Sequence, residues 1–75
     1  MTRREVIKLL TADTIAKRLV LLRGDVSREV VSTACGISRS ALTMYELGAR
    51  IPRDEIKIRL AKYYDRSVEE IFFAP

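Results

Sequence analysis

Residues 36–52 read GISRSALTMYELGARIP, and their punctuation spells two helices joined by a tight turn. Gly36 ends the first helix and Ile37 plugs the corner. Ser38 offers a hydroxyl to the open N–H groups of a second helix that runs to Leu47, after which Gly48 takes a left-handed turn. Within that second helix Ala41, Leu42 and Tyr45 form one apolar stripe, while Arg39, Ser40, Thr43 and Met44 fall together on the opposite side. One side suits a core and the other a partner.

Working outward, the flanking segments repeat the helical period. Upstream, Ile15, Leu19 and Leu22 recur at i, i+4 and i+7 with Lys17 and Arg18 turned outward, so a helix is predicted over 12–23. Arg23-Gly24-Asp25 closes it. The same tripeptide is an adhesion ligand in extracellular proteins, but glycine and aspartate are turn formers and the turn reading is the one adopted. Ser27 then caps a helix over 28–35 in which Val31 and Cys35 face inward. Downstream, Ile51-Pro52 forces an extended link. A helix over 54–64 follows with Ile56, Leu60 and Tyr64 in step. Ser67 and Glu70 make a capping box for a short helix over 68–72 whose apolar face is Val68, Ile71 and Phe72. Residues 1–10 are an added arm or a short helix opened by Thr2 and Glu5, with Arg3, Arg4 and Lys8 within reach of phosphate. The expectation is an all-α, compact five-helix domain over 11–75 with an N-terminal arm over 1–10, free of strands, repeats and low-complexity linkers.

Bulk properties narrow the function. The chain has 75 residues, a size at which a core only just offsets chain entropy without staples. One cysteine cannot form an intrachain disulfide, and with no histidine there is no Cys-His metal site, so the cytoplasm is the expected compartment and no metal or cofactor is expected. No apolar run is long enough to span a membrane. Without histidine no Ser-His or Cys-His pair can be assembled, and the carboxylates lie at capping or surface positions, so an enzyme is not expected. Cys35 reads as a small core residue. The net charge is +4, and the excess of base belongs to the first two thirds: residues 1–25 hold six bases against three acids, whereas residues 54–75 hold four against five. Such an imbalance favours a polyanionic partner.

The Gly-aliphatic-Ser turn at Gly36-Ile37-Ser38, followed by Glu46-Leu47-Gly48-Ala49-Arg50-Ile51-Pro52, resembles the phage-repressor-like (Cro/Xre type) helix-turn-helix family, which ends its recognition helix in Glu-x-Gly-x-x-x-Pro. The likeness runs from about Ile15 to Phe72. It implies a lambda-repressor-like fold and a sequence-specific regulator of transcription, a repressor, that binds double-stranded DNA. It also implies that Glu46 pairs with Arg23 as a brace. The chain departs from its relatives in having no glutamine or asparagine: Arg28 and Arg39 stand where glutamine is frequent. Contacts with guanine and thymine methyl groups are therefore expected in place of an amide grip on adenine.

In that frame Arg39, Ser40, Thr43 and Met44 are the expected base-contacting residues. Ser27, Arg28, Ser38, Gly48, Arg50 and Arg53 are the expected phosphate contacts, from helix N-termini and loop cations. A homodimer is expected because one recognition helix spans only a few base pairs, with Ile71 and Phe73 of the C-terminal helix as candidate interface residues. A regulatory protein or peptide is a further candidate partner. The competing reading is a protein-binding module of the same fold, an antitoxin or a regulator's partner, which would carry exposed apolar residues in place of Arg39, Ser40 and Thr43.

Overall fold

The computed structural model describes residues 11–74, so the arm or short helix expected over 1–10, with Arg3, Arg4 and Lys8, lies outside the described residues. Five helical elements follow in order: α1 Ala12–Arg23, α2 Arg28–Cys35, α3 Arg39–Glu46, α4 Asp54–Tyr64 and a short α5 Glu69–Phe73. Among the described residues there is no strand. α1 packs on α3 and α5, and α2 packs on α3 and α4, so α3 is held between the first two helices.

The caps explain the boundaries. Thr11, Ser27 and Ser38 each accept a hydrogen bond from the backbone N–H three residues on, at 3.3, 3.2 and 2.9 Å. Gly36 closes α2 at φ 67°, where the Ile37 N–H reaches the Ser32 carbonyl at 3.0 Å. An L-residue there would sit in the left-handed region at a cost of about 1–2 kcal/mol. Leu47 is the cap of α3, one residue short of the expected end, and Gly48 turns at φ 76°. Arg53 is the N-cap of α4 and gives it no side-chain hydrogen bond, and Asp54 and Glu55 in the first turn offset the helix dipole instead.

The apolar stripes meet in one core. Phe72, Ile15, Leu19, Leu42, Leu60, Ile71 and Val31 are its largest sealed side chains, joined by Cys35, Tyr45, Ile56 and Ala61. Burying each Leu, Ile or Phe contributes roughly 1.5–3 kcal/mol. Leu22, Tyr64 and Val68 sit half-buried at its margin.

Two features differ from the expected pattern. The last helix is a single wide turn of π type over Glu69–Phe73, closed by the Ala74 N–H on the Glu69 carbonyl at 2.6 Å. Its start is the Ser67–Glu70 capping box, with Ser67 N–H to Glu70 Oε1 at 2.9 Å and Glu70 N–H to Ser67 Oγ at 3.0 Å. The guanidinium of Arg18 donates to the Glu70 carbonyl at 2.6 Å, tying α1 to this turn. The other difference is Lys57, buried on the inward stripe of α4. Its ammonium lies 5.3 Å from the centre of the Phe73 ring and 3.3 Å from Asp54, so a charge occupies the core margin where an aliphatic residue is usual.

Candidate nucleic-acid interface

α3 is eight residues long, and its two faces have opposite fates. Leu42 and Tyr45 are buried and Ala41 is half-buried, whereas Arg39, Ser40 and Met44 are exposed and Thr43 is half-exposed. The four outward residues occupy the first two turns, so they project as one group from a narrow cylinder of backbone. The Thr43 hydroxyl donates to the Arg39 carbonyl at 2.9 Å, which leaves its oxygen lone pairs facing out. Arg39 Nη1 lies 3.9 Å from Glu29 Oε2 of α2, with both side chains mostly in solvent. At that exposure the pair is weak, and the guanidinium is free to exchange it for another acceptor.

The angle of α3 is fixed by a buried carboxylate. Glu46, the last residue of α3, has no exposed side-chain surface; its Oε2 accepts from Arg23 Nε at 2.8 Å and its Oε1 from Arg28 Nε at 2.8 Å. Arg23 also donates to the Val26 carbonyl at 2.9 Å. One carboxylate thus joins the end of α1, the loop after it, the start of α2 and the end of α3. Both oxygens are engaged by charge-assisted bonds, the condition under which a buried charge is tolerated. The family likeness implied this role for Arg23, and Arg28 was expected at a phosphate; the structure gives Arg28 to the carboxylate, with about a third of its side chain still exposed. The signal for Arg28 was its place at the first position of α2, where the chain passes the end of α3.

The remaining expected residues gather around the start of α3 and the link that follows it. Ser27 and Ser38 are engaged as caps, leaving the first N–H groups of α2 and α3 pointing outward. Arg50 is exposed, and Arg53 is exposed beside Glu55 at 3.2 Å. Arg50, Arg53, Ser38 and Tyr45 line a cleft of about 510 Å³ between α3 and α4. Gly48 is half-buried, with its α-carbon so placed that a side chain would reach the Ala12 carbonyl at 3.5 Å. Its function there is the turn and the close approach to α1.

The interface candidates of the C-terminal turn separate. Ile71 is 2% exposed and belongs to the core, because α5 turns it toward α1, so it has no surface to offer a second copy. Phe73 is half-buried beside exposed Ile58 and half-buried Val68. Exposed apolar residues also occur on another face, where Val20 and Leu21 of α1 meet Leu47 across a shallow hollow; sequence reading missed them, since Leu21 and Val20 interrupt the polar side of an otherwise regular pattern.

Among the described residues no group of three or more His, Cys, Asp or Glu side chains is placed to hold a metal ion, and no helix is long and apolar enough to cross a membrane. A family model described as helix-turn-helix matches residues 16–71, which is more than half of the chain. No curated protein and no solved structure matches it.

Proposed function

Because the chain belongs to the helix-turn-helix family of the phage-repressor (Cro/Xre) type, and so carries a DNA-binding domain, we propose that it is a sequence-specific regulator of transcription, a repressor that reads the major groove with α3. The observation that carries this reading is the outward group Arg39, Ser40, Thr43 and Met44 on a helix whose other face is sealed into the core. A lone helix fits the groove only when one flank is free and its angle is fixed, and Glu46 with its two arginines supplies the second condition.

The chemistry of each side chain assigns its contact. Arg39 clasps a guanine through O6 and N7, Thr43 and Ser40 exchange hydrogen bonds with base edges, and Met44 packs on a thymine methyl. Phosphates are held by the N–H groups near Ser27 and Ser38, by the loop Gly48 to Arg50, by Arg53 and by the outer edge of Arg28. Repression follows from occupancy, since a protein seated over a promoter excludes other proteins from the same groove. A reduced, buried Cys35 suits a cytoplasmic site of action.

Two copies acting across a palindrome, with half-sites about one helical turn apart, give the affinity that one short helix lacks. The surface around Phe73, Ile58 and Val68 supports such a homodimer. The second reading, a module that binds another protein, is favoured by a different observation: Leu21 is 80% and Leu47 68% exposed.

Binding of wild type and Arg39→Ala to matched and mismatched duplexes tests the main reading. A loss of about 1–3 kcal/mol confined to sites with the cognate guanine is expected. An equal loss on every sequence assigns Arg39 to phosphate, and wild-type protein that ignores DNA at low salt would sink the regulator and favour the protein-binding module.

A further inference from the structure

The cleft between α3 and α4 holds one more cation than the recognition surface requires. Besides Arg50 and Arg53 it is lined by Arg59, which lies on α4 nearly two turns beyond Arg53. Arg59 is exposed, and its Nη1 reaches the Gly36 carbonyl at 3.5 Å, a long and weak bond that parks the guanidinium beside the turn just before Ser38. Among the described residues neither Arg50 nor Arg59 has an acidic side chain within ion-pair distance; the one carboxylate in the cleft, Glu55, is taken by Arg53.

Arg50 and Arg53 from the link after α3 and Arg59 from α4 therefore line one cleft together with Ser38, the N-cap of α3. With Glu55 engaged by Arg53, the charges of Arg50 and Arg59 leave the cleft net positive, and an anion placed there is attracted to it. The cleft is open and polar, unlike a core cavity, and an anion that must also run past the start of α3 is a polymer of phosphates.

We propose that Arg59 is a phosphate-binding residue that extends the nucleic-acid footprint from the recognition helix onto α4, exchanging its weak bond to the Gly36 carbonyl for a phosphodiester of the same duplex. This inference rests on the DNA reading above and adds to it a residue that neither the turn pattern nor the family likeness assigns. Arg59 then serves affinity and not sequence choice, since a phosphate carries no base identity.

The test is a salt series of DNA dissociation constants for wild type, Arg59→Gln and Arg59→Lys, on a preferred duplex and on an unrelated one. Loss of one phosphate contact lowers the log-log salt slope by about 0.9 per subunit. Arg59→Gln is expected to show that change and an equal fold-loss of affinity on both duplexes. Arg59→Lys, which keeps the charge, is expected to keep the slope. If Arg59→Gln leaves the slope at its wild-type value, or weakens only the preferred duplex, the inference is overturned. Thermal melting of the three proteins separates the lost Gly36 bond from the lost phosphate, because a purely structural role lowers the melting temperature and leaves the slope alone. Wild-type protein with no salt-dependent DNA binding overturns the regulator reading itself, and this inference with it.

Discussion

At the scale of single residues, Glu46 carries the heaviest duty. Replacing it with alanine leaves two arginines facing a space built for a carboxylate, and removal of one partner from a buried pair typically costs about 3–5 kcal/mol. Urea unfolding of Glu46→Ala is expected to show a loss of that order, together with weaker DNA binding because α3 loses its fixed angle. Tyr64 behaves in the opposite way. Its hydroxyl is buried, and among the described residues it has no hydrogen-bond partner. Tyr64→Phe should therefore hold or raise stability, by on the order of 1 kcal/mol, since nothing is left unpaired by the change. Burial first, and the nearby negative charge of Glu46 second, push the Tyr64 phenol up from its ordinary value of 10.0. A raised value in the folded state means that its contribution is complete below about pH 10 and drains away as pH climbs beyond it. Unfolding midpoints measured at rising pH should fall in the wild type more steeply than in Tyr64→Phe; parallel curves would show that Tyr64 ionises as readily in the native protein as in the unfolded one.

At the scale of elements, the caps do most of the work of ending and aiming the helices. The Ser67 backbone N–H first, and its hydroxyl second, hold the Glu70 carboxylate below its ordinary value of 4.5. The depressed value makes the capping box complete above that pH, and it is lost as pH falls through the folded value. Following the Glu70 side-chain carbon by NMR should give a midpoint under 4.5, and Ser67→Ala, which removes the hydroxyl and keeps the N–H, should move it part of the way up; a wild-type midpoint at or above 4.5 would mean that the box is not formed in solution. The elements that were legible in the chain were those with paired signals. Ser27, Ser38 and the glycines after their helices announced α2 and α3, and the four-residue steps Ile15–Leu19 and Ile56–Leu60 announced the faces of α1 and α4. The wide turn of α5 was not legible, because Ser67 and Glu70 mark where a helix starts and say nothing of its pitch. The turn is also engaged by a residue fifty-odd positions away, Arg18, which donates to the Glu70 carbonyl, a contact no local pattern announces. Lys57 escaped for a similar reason: Asp54, three residues before it on the same helix, was in view, but the Phe73 ring that its ammonium approaches is distant in sequence. Of the candidate site, the outward group on α3 could be read from spacing alone, whereas the second arginine on Glu46 required knowing how α2 crosses α3.

At the scale of the whole molecule, charge and symmetry decide behaviour. With about four phosphates neutralised per subunit, the log-log salt slope should be roughly −3.6 per subunit. If two copies join through the surface around Phe73, sedimentation should show a mass that doubles with concentration, and Ile58→Glu should abolish that change without altering the fold, since Ile58 lies beside Phe73 and is 58% exposed. A monomer at all concentrations would assign pairing to the DNA. The one thiol of the chain adds a use of its own. Cys35 lies sealed in the core with its sulfur 3.9 Å from the Arg59 carbonyl, and burial pushes its ionisation up, away from the reactive thiolate. A thiol reagent must therefore wait for the domain to open. The rate of labelling becomes a clock for native-state opening events, readable by mass spectrometry in the natural sequence with no introduced probe.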